Sequence, residues 1–153
     1  RNNYAAMLFS QERYRESYEQ LEMVASDTSY EGRALAFEGL GRSALRMGQL
    51  DDARSAFQRA LQLDGNLFIA ALELSLIEFG QRDYTSARRH YQSYLTIIEF
   101  LQLPHTPRAL LAGIQIEGYF GNEEFVENFT LVLSTLYPNS PEYQQLLRLS
   151  DAN

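Results

Sequence analysis

The sequence contains no cysteine and no lysine, so all 13 of its basic residues are arginines. Without cysteine the chain can form neither a disulfide nor a thiolate zinc site, and it has no cysteine nucleophile. No apolar run approaches the roughly 20 residues that a membrane-spanning helix needs, and no signal peptide opens the chain. All four prolines lie at or after Pro104, so the first hundred residues lack the strongest helix breaker.

Basic residues are also outnumbered, because 20 Asp and Glu face the 13 arginines and the net charge is −7. Nucleic-acid binding depends on Lys and Arg that neutralise phosphates, so no nucleic-acid partner is expected. The 45% of hydrophobic residues excludes a disordered polar tail. A chain of 153 residues has the length of one domain and can bury a sizeable core without disulfides or metal.

The composition favours helices. The chain has 23 Leu and 15 Ala but only 3 Val and 6 Ile, and Leu and Ala favour helices where β-branched residues favour strands. Gly, Asn and Asp recur at short intervals as helix ends, and strand alternation is nowhere sustained. Nine helices are predicted, at about 1–10, 12–25, 29–46, 51–63, 67–80, 84–101, 106–120, 122–136 and 141–150.

A pattern of paired helices repeats about every 34 residues. In one copy, Gly41 shares one face of the first helix with Phe37, Leu40 and Ala44, and after a turn at Gly48, Ala53 and Phe57 share one face of the second helix. Small residues at such positions let two helix backbones approach, and the aromatic ring of the next turn fills the gap beside them. The corresponding residues are Ser75, Ala87 and Tyr91 in the next copy, and Ala5, Ser17 and Leu21 in the preceding one.

This pattern resembles the tetratricopeptide repeat. The resemblance implies an all-α fold, an α-α superhelix or tetratricopeptide repeat solenoid with a C-terminal capping helix, as a single domain over residues 1–153. The repeats are predicted at about 1–27, 34–67 and 68–101, with a degenerate copy at 106–138 and the cap at 141–150. Because Tyr4 and Leu8 would pack on a preceding repeat, the chain is expected to be a fragment of a longer protein.

The first helix of each pair lines the concave face of such a solenoid. The predicted partner-binding residues on this face are Leu35, Arg42, Arg46, Ile69, Leu72, Leu76 and Phe79. The helical register also exposes Asn2, Ala6, Phe9, Glu38, Leu45, Arg108, Leu111, Gln115 and Tyr119 there. The helix at 67–80 is apolar nearly all round and should be buried on most sides. An open inner face would be a hydrophobic groove for a partner, whereas a tightly curled solenoid or covering C-terminal helices would close it.

Charged residues on these helices allow two interpretations. Arg42 and Arg46 lie one turn apart and could hold a carboxylate by paired hydrogen bonds, or Arg42 could pair with Glu38. Residues 109–147 hold no basic residue and five Glu. This run is interpreted as a solvated acidic face, with electrostatic steering of a basic partner as the alternative.

No constellation of catalytic residues is found, and no enzyme activity, cofactor or metal is expected. His90 has no neighbours at metal-ligand spacing, and His105 is interpreted as an exposed loop histidine. The adjacent Glu123 and Glu124 point about 100° apart on a helix, so they cannot act as a facing acid pair. The chain has neither a Gly-rich phosphate loop nor a nucleophile elbow.

Several segments are similar to the C-terminal portion of the type IV pilus biogenesis lipoproteins PilF and PilW. They are Asn2-Asn3-Tyr4-Ala5, the run from Gln11 to Tyr18, the loop from Ala25 to Tyr30, and the ending from Leu136 to Gln144. The resemblance implies a pilotin role, in which the protein helps the secretin PilQ to reach the outer membrane and assemble. It also implies a location on the periplasmic side of the outer membrane in a Gram-negative bacterium, with a lipid anchor upstream of this chain and no membrane contact by the chain itself.

Three functions therefore remain open. The first is a non-catalytic adaptor for secretin assembly in type IV pilus biogenesis. The second is a general tetratricopeptide scaffold or chaperone adaptor that binds an unrelated peptide or protein. The third is a structural role in which the repeats only space other modules.

Overall fold

The structure is a computed structural model that describes residues 2–29 and 31–151. Over these residues it contains nine helices and no strand, so the prediction of an all-α fold is confirmed. The helices are α1 (Asn2–Ser10), α2 (Tyr14–Ala25), α3 (Arg33–Arg46), α4 (Leu50–Leu63), α5 (Phe68–Gly80), α6 (Tyr84–Leu101), α7 (Pro107–Tyr119), α8 (Glu123–Leu136) and α9 (Pro141–Asp151).

The largest difference from the predicted helix bounds is at the start of α3, which begins at Arg33 and not at residue 29. The Asp27 carboxylate accepts hydrogen bonds from the backbone N–H and the hydroxyl of Ser29, at 3.1 and 2.7 Å. An Asp that bonds two residues ahead in this way holds the chain in a turn. The predicted turn at Gly48 is confirmed, since this residue has a φ of +75°, where a side chain would be strained. Gly121 has the same φ.

The chain forms two compact units that divide within α5, the first ending at Ile77 and the second beginning at Glu78. In the first unit, α1 packs on α2, α2 on α3, and α3 on α4. Its core has two clusters. The first is Ala5, Leu21, Val24, Ala25, Ala36, Leu40 and Ala56. The second is Ala44, Ala53, Phe57, Ala60, Ala70, Leu74 and Ile77.

Small residues bring the paired helices of this unit together, as the repeat pattern predicts. A Cβ added to Gly41 would lie 2.6 to 2.8 Å from three ring atoms of Phe57, which is itself fully buried. In the first pair, the buried Ser17 hydroxyl donates a 2.8 Å hydrogen bond to the Ala5 carbonyl. Both contacts need a small side chain, because a larger one would push the two backbones apart.

In the second unit, α7 packs against α6, α8 and α9. Its core joins buried Leu110, Ile114 and Leu133 to the half-buried side chains Val126, Phe129, Val132, Tyr137, Tyr143 and Leu146. Ser140 caps α9, because its hydroxyl accepts a 3.1 Å hydrogen bond from the Tyr143 N–H, and Pro141 occupies the first helical position. The C-terminal helix therefore covers the last pair, as predicted.

The interpretation of residues 109–147 as a solvated acidic face is wrong for Glu117. This carboxylate is buried and accepts two 2.9 Å hydrogen bonds from the Arg88 guanidinium. Asn122 donates a third, also at 2.9 Å. A buried carboxylate is tolerated only when its charge and lone pairs are matched in this way. By contrast, Glu123, Glu124 and Glu127 are exposed.

The interpretation of His105 as an exposed loop residue is also wrong, because it is half-buried among aromatic rings. Its Nδ1 lies 3.3 Å from the Tyr94 hydroxyl, and its ring centre lies 5.3 Å from that of Phe129. Its carbonyl accepts a 2.8 Å hydrogen bond from the Tyr137 hydroxyl. Burial lowers the pKa of His105 below the ordinary 6.5, because the charged ring loses solvation.

This environment predicts a pH-dependent loss of stability in the second unit. The unfolded chain takes up the His105 proton more readily than the folded chain. The stability contributed by neutral His105 is therefore fully present above about pH 6.5. It is lost as the pH falls through 6.5 towards the lower pKa of His105 in the folded chain. Urea unfolding at about pH 7.5 and about pH 5.5 should show a smaller decline for His105→Gln than for the unsubstituted chain. Equal declines would show that another group causes the acid sensitivity.

Candidate partner-binding groove

An apolar groove opens on the first unit between α1, α2 and α3. Its cavity has a volume of about 310 Å³, at the lower end of the range for ligand sites. The lining residues are Ala5, Ala6, Phe9, Ser17, Leu21, Leu35, Gly39 and Arg42. The structure thus brings together four positions that the helical register assigns to one face, Ala6 and Phe9 on α1 and Leu35 and Arg42 on α3.

The buried side chains Ala5, Ser17 and Leu21 belong to the core beneath the groove, whereas Leu35 is 57% exposed. Gly39 also lines the groove, and a Cβ there would lie 2.8 Å from Leu21 Cδ1, so a larger residue would have to displace the Leu21 side chain. A large exposed leucine beside a cavity loses water contact when a partner covers it, and this favours association. Leu35 is therefore the residue on which a docking partner would gain most apolar burial.

Two arginines stand at the rim of the groove around one aromatic ring. The guanidinium carbons of Arg42 and Arg46 lie 5.0 and 5.6 Å from the ring centre of Phe9. Arg46 also lies 5.8 Å from the Tyr14 ring centre and is 3.4 Å from the Tyr14 hydroxyl. Phe9 and Tyr14 are themselves in edge contact, with ring centres 5.1 Å apart. The rings hold both cations by cation–π attraction and leave their side chains exposed.

The alternative role of Arg42, as the ion-pair partner of Glu38, is not what the structure shows. Glu38 is buried, contrary to its expected exposure, and accepts a 3.2 Å hydrogen bond from the Ala70 N–H at the start of α5. Burial raises the pKa of Glu38, and the Ala70 hydrogen bond and the nearby Arg42 charge oppose that rise. Glu38 thus caps α5, and among the described residues no carboxylate lies within salt-bridge distance of Arg42.

The remaining predicted site residues lie on α5. Leu72 is only 8% exposed, so its expected place on an open surface is wrong, because this nearly all-apolar helix buries most of its circumference. Ile69 and Leu76 are half-buried in the first unit. Phe79 belongs to the second unit, where it is half-buried and contacts the Tyr84 ring at 5.4 Å. On α7, Leu111 is also buried and not exposed.

Tyr14 and Gly39 take part in this site although neither is among the predicted site residues. A signal for Tyr14 was present, because the contact between Phe9 and Tyr14 recurs at the same spacing between Phe79 and Tyr84, with centroid distances of 5.1 and 5.4 Å. Each ring pair joins the end of a first helix to the start of the second. Nothing in the pattern marks Gly39, whose role depends on where α2 places Leu21.

Two other kinds of site are not seen in the described part of the chain. No group of three His, Cys, Asp or Glu residues there is arranged to hold a metal ion. No helix described over 2–29 and 31–151 combines the length and the apolar character needed to span a membrane.

Comparison with known proteins identifies the repeat and its relatives. A tetratricopeptide repeat family model matches residues 38–100. The type IV pilus assembly protein PilF of Pseudomonas aeruginosa is 33% identical over 144 residues, which are 94% of this chain and 55% of that protein. The chain thus spans about half the length of this curated relative.

Solved structures agree with this comparison. The Pseudomonas aeruginosa PilF structure matches 96% of this chain and 64% of its own, with a TM-score of 0.89 and 33% identity. The structure of PilW, a widely conserved type IV pilus biogenesis factor, matches 95% of this chain and 65% of its own, with a TM-score of 0.74 and 23% identity. At 15% identity, the tetratricopeptide-like repeats of a Podosopora anserina putative kinesin light chain have a TM-score of 0.65 over 93% of this chain and 77% of their own. The predicted tetratricopeptide repeat fold is confirmed.

Proposed function

We propose that this chain, whose residues 38–100 match a tetratricopeptide repeat family model and which is similar to the type IV pilus biogenesis factors PilF and PilW, acts as a non-catalytic adaptor in type IV pilus biogenesis. In this role it assists outer-membrane localisation and assembly of the secretin, with PilQ as its partner on the periplasmic side. The relatives PilF and PilW are a type IV pilus assembly protein and a type IV pilus biogenesis factor, which supports the same process for this chain. The chain covers only part of the length of these relatives.

The observation that carries the proposal is the groove between α1, α2 and α3. It combines a cavity of about 310 Å³ with an exposed leucine and two exposed arginines. A rigid pair-of-helices scaffold with such a groove can bind a partner segment, because the apolar wall supplies desolvation and the arginines supply orientation. In this proposal Leu35, Arg42 and Arg46 bind the secretin together with Phe9, and Ile69, Leu76 and Phe79 remain predicted contacts.

Leu35→Asp tests this function directly. A charge in the centre of the groove should reduce capture of the purified secretin by at least about tenfold, since an interface hot spot is worth about 2 kcal/mol or more. Because Leu35 is 57% exposed, the substitution should leave the helical circular dichroism and the free energy of unfolding nearly unchanged. The same variant should lower the amount of assembled secretin multimer in cells.

Leu131→Asp is the matched control, because Leu131 is 65% exposed and lies on α8, outside the groove. It should capture the secretin as well as the unsubstituted chain does. Unchanged capture by Leu35→Asp would contradict the proposed site. If capture of the secretin is absent even without substitution while another peptide or protein binds at Leu35, the chain is a general tetratricopeptide scaffold.

A further inference from the structure

In the part of the chain that the structure describes, no carboxylate lies within salt-bridge distance of the two arginines at the rim of the groove. Arg42 and Arg46 are four residues apart on α3, where like charges on a helix repel each other. Both guanidinium groups nevertheless lie within 5.6 Å of the centre of one ring, that of Phe9. Among the residues that the structure describes, neither forms a salt bridge, and the only hydrogen bond of Arg46 is the long one to the Tyr14 hydroxyl.

An anion is the natural complement of this arrangement. A carboxylate accepts paired hydrogen bonds from guanidinium groups, and the ring that holds the two cations fixes their donors before the partner arrives. Glu38, the acidic residue one turn before Arg42, is buried and bonded to the Ala70 N–H, so it leaves the exposed rim to an outside group.

The anion must belong to a ligand that also carries an apolar group. Arg42 lines the same cavity as Leu35 and Phe9, so a carboxylate at the rim lies directly beside the apolar groove. A cavity of about 310 Å³ has the size for one or two bulky side chains. The net charge of −7 disfavours an anionic membrane surface as the source of the negative group.

We propose that the groove recognises a protein segment in which an aspartate or glutamate side chain stands within a few residues of a bulky apolar residue. The apolar side chain enters the cavity against Leu35 and Phe9, and the carboxylate binds between Arg42 and Arg46. This inference deepens the proposed function and rests on it for the biological partner, but the binding chemistry is testable without any secretin.

Selection from a random peptide library tests the inference with no assumption about the identity of the partner. Twelve-residue peptides are displayed within a loop of a carrier protein, so that only side chains supply carboxylates. Peptides selected on the unsubstituted chain should be at least about threefold enriched in Asp or Glu near Leu, Ile, Phe or Met. Selection on Leu35→Asp should recover none of these peptides.

The charge-removing double variant Arg42→Gln/Arg46→Gln supplies the decisive comparison. It should lose the Asp and Glu enrichment, and its affinity for the best selected peptide should fall at least about tenfold. Replacing Glu by Gln in that peptide should cost the unsubstituted chain a similar factor. The control Arg59→Gln/Arg89→Gln removes the same charge from α4 and α6, outside the groove, and should bind normally.

The inference is overturned if the selected peptides show no acidic enrichment, or if both double variants select the same peptides. The inference is also overturned if none of the recovered peptides depends on Leu35 for binding, or if the chain binds phosphatidylglycerol vesicles more tightly than any selected peptide. Failure of the proposed function gives a different set of results from failure of this inference. In that case acidic-apolar peptides bind between Arg42 and Arg46, while Leu35→Asp leaves secretin capture and assembly unchanged.

Discussion

Gly41→Leu is expected to lower the free energy of unfolding of the first unit by about 3 kcal/mol, the upper part of the range for overpacked cores. A Cβ at this position would lie 2.6 to 2.8 Å from three ring atoms of Phe57, about 1 Å inside normal contact. Phe57 is fully buried, and in a close-packed core its ring can move only by displacing the side chains around it. Either the ring leaves its rotamer or α3 moves away from α4, and each costs packing energy. Urea unfolding followed by circular dichroism measures the loss.

The control for this prediction is Gly80→Leu at the end of α5. No atom lies within 4 Å of the position that a Cβ would take at Gly80. Leucine has the better helix propensity, so this variant should be neutral or more stable by a few tenths of a kcal/mol. A loss at Gly41 no larger than the change at Gly80 would show that the close approach of α3 and α4 does not depend on a small residue.

Arg88→Ala is expected to destabilise the second unit by about 3 kcal/mol, because it leaves a buried carboxylate without its cation. Glu117 is only 5% exposed at its side chain, and Arg88 binds it through two 2.9 Å hydrogen bonds. Arg88 also lies 4.6 Å from the Phe120 ring centre. Its own side chain is about one-third exposed (35%), which places the effect at the lower end of the 3–5 kcal/mol typical of a broken buried pair.

Arg89→Ala is the matched control, since Arg89 is the next residue on α6 and is exposed. It should change the free energy of unfolding by no more than about 0.5 kcal/mol. The double variant Arg88→Met/Glu117→Leu should recover much of the stability, because two apolar side chains of similar volume remove the unpaired charge. Equal losses for Arg88→Ala and Arg89→Ala would mean that the ion pair contributes little.

The helical fold could be predicted because its determinants are local and periodic. Gly41 and Phe57 are 16 residues apart across one Gly turn, and the same arrangement recurs with Ala5, Ser17 and Leu21 in the preceding pair. A repeat constrains each position several times, so the small-residue contacts follow from one-dimensional spacing. The same register placed Leu35, Ala6 and Phe9 on one face, and the structure brings them together in one groove.

Some charged and apolar side chains are buried at positions that the helical register marks as exposed, and this burial could not be predicted in the same way. The helical register predicts that Glu38 is exposed. Its carboxylate is instead buried and accepts a hydrogen bond from the N–H of Ala70 on α5, 32 residues further along the chain. Glu117 and Arg88 are 29 residues apart and pair across two helices. Periodicity states which face of a helix is apolar but not whether that face is covered, as the burial of Leu72 shows.

The cationic rim was only partly predictable. The spacing of Arg42 and Arg46 indicates a shared face, and both a carboxylate site and an ion pair with Glu38 are consistent with it. Only the structure shows that Phe9 and Tyr14 hold the two guanidinium groups and that Glu38 is turned to the backbone of α5. Long-range contacts of this kind have no signature in a single sequence.

The backbone at Gly41 and the ring of Phe57 form one interlocked contact on which the close pairing of α3 and α4 depends. A double-mutant cycle with Gly41→Leu and Phe57→Val measures this contact directly, because valine lacks the three ring atoms that an added Cβ would meet. Gly41→Leu is expected to cost about 3 kcal/mol in the unsubstituted chain but about 1 kcal/mol in the Phe57→Val background, a coupling of about 2 kcal/mol. Additive effects of the two substitutions would contradict it.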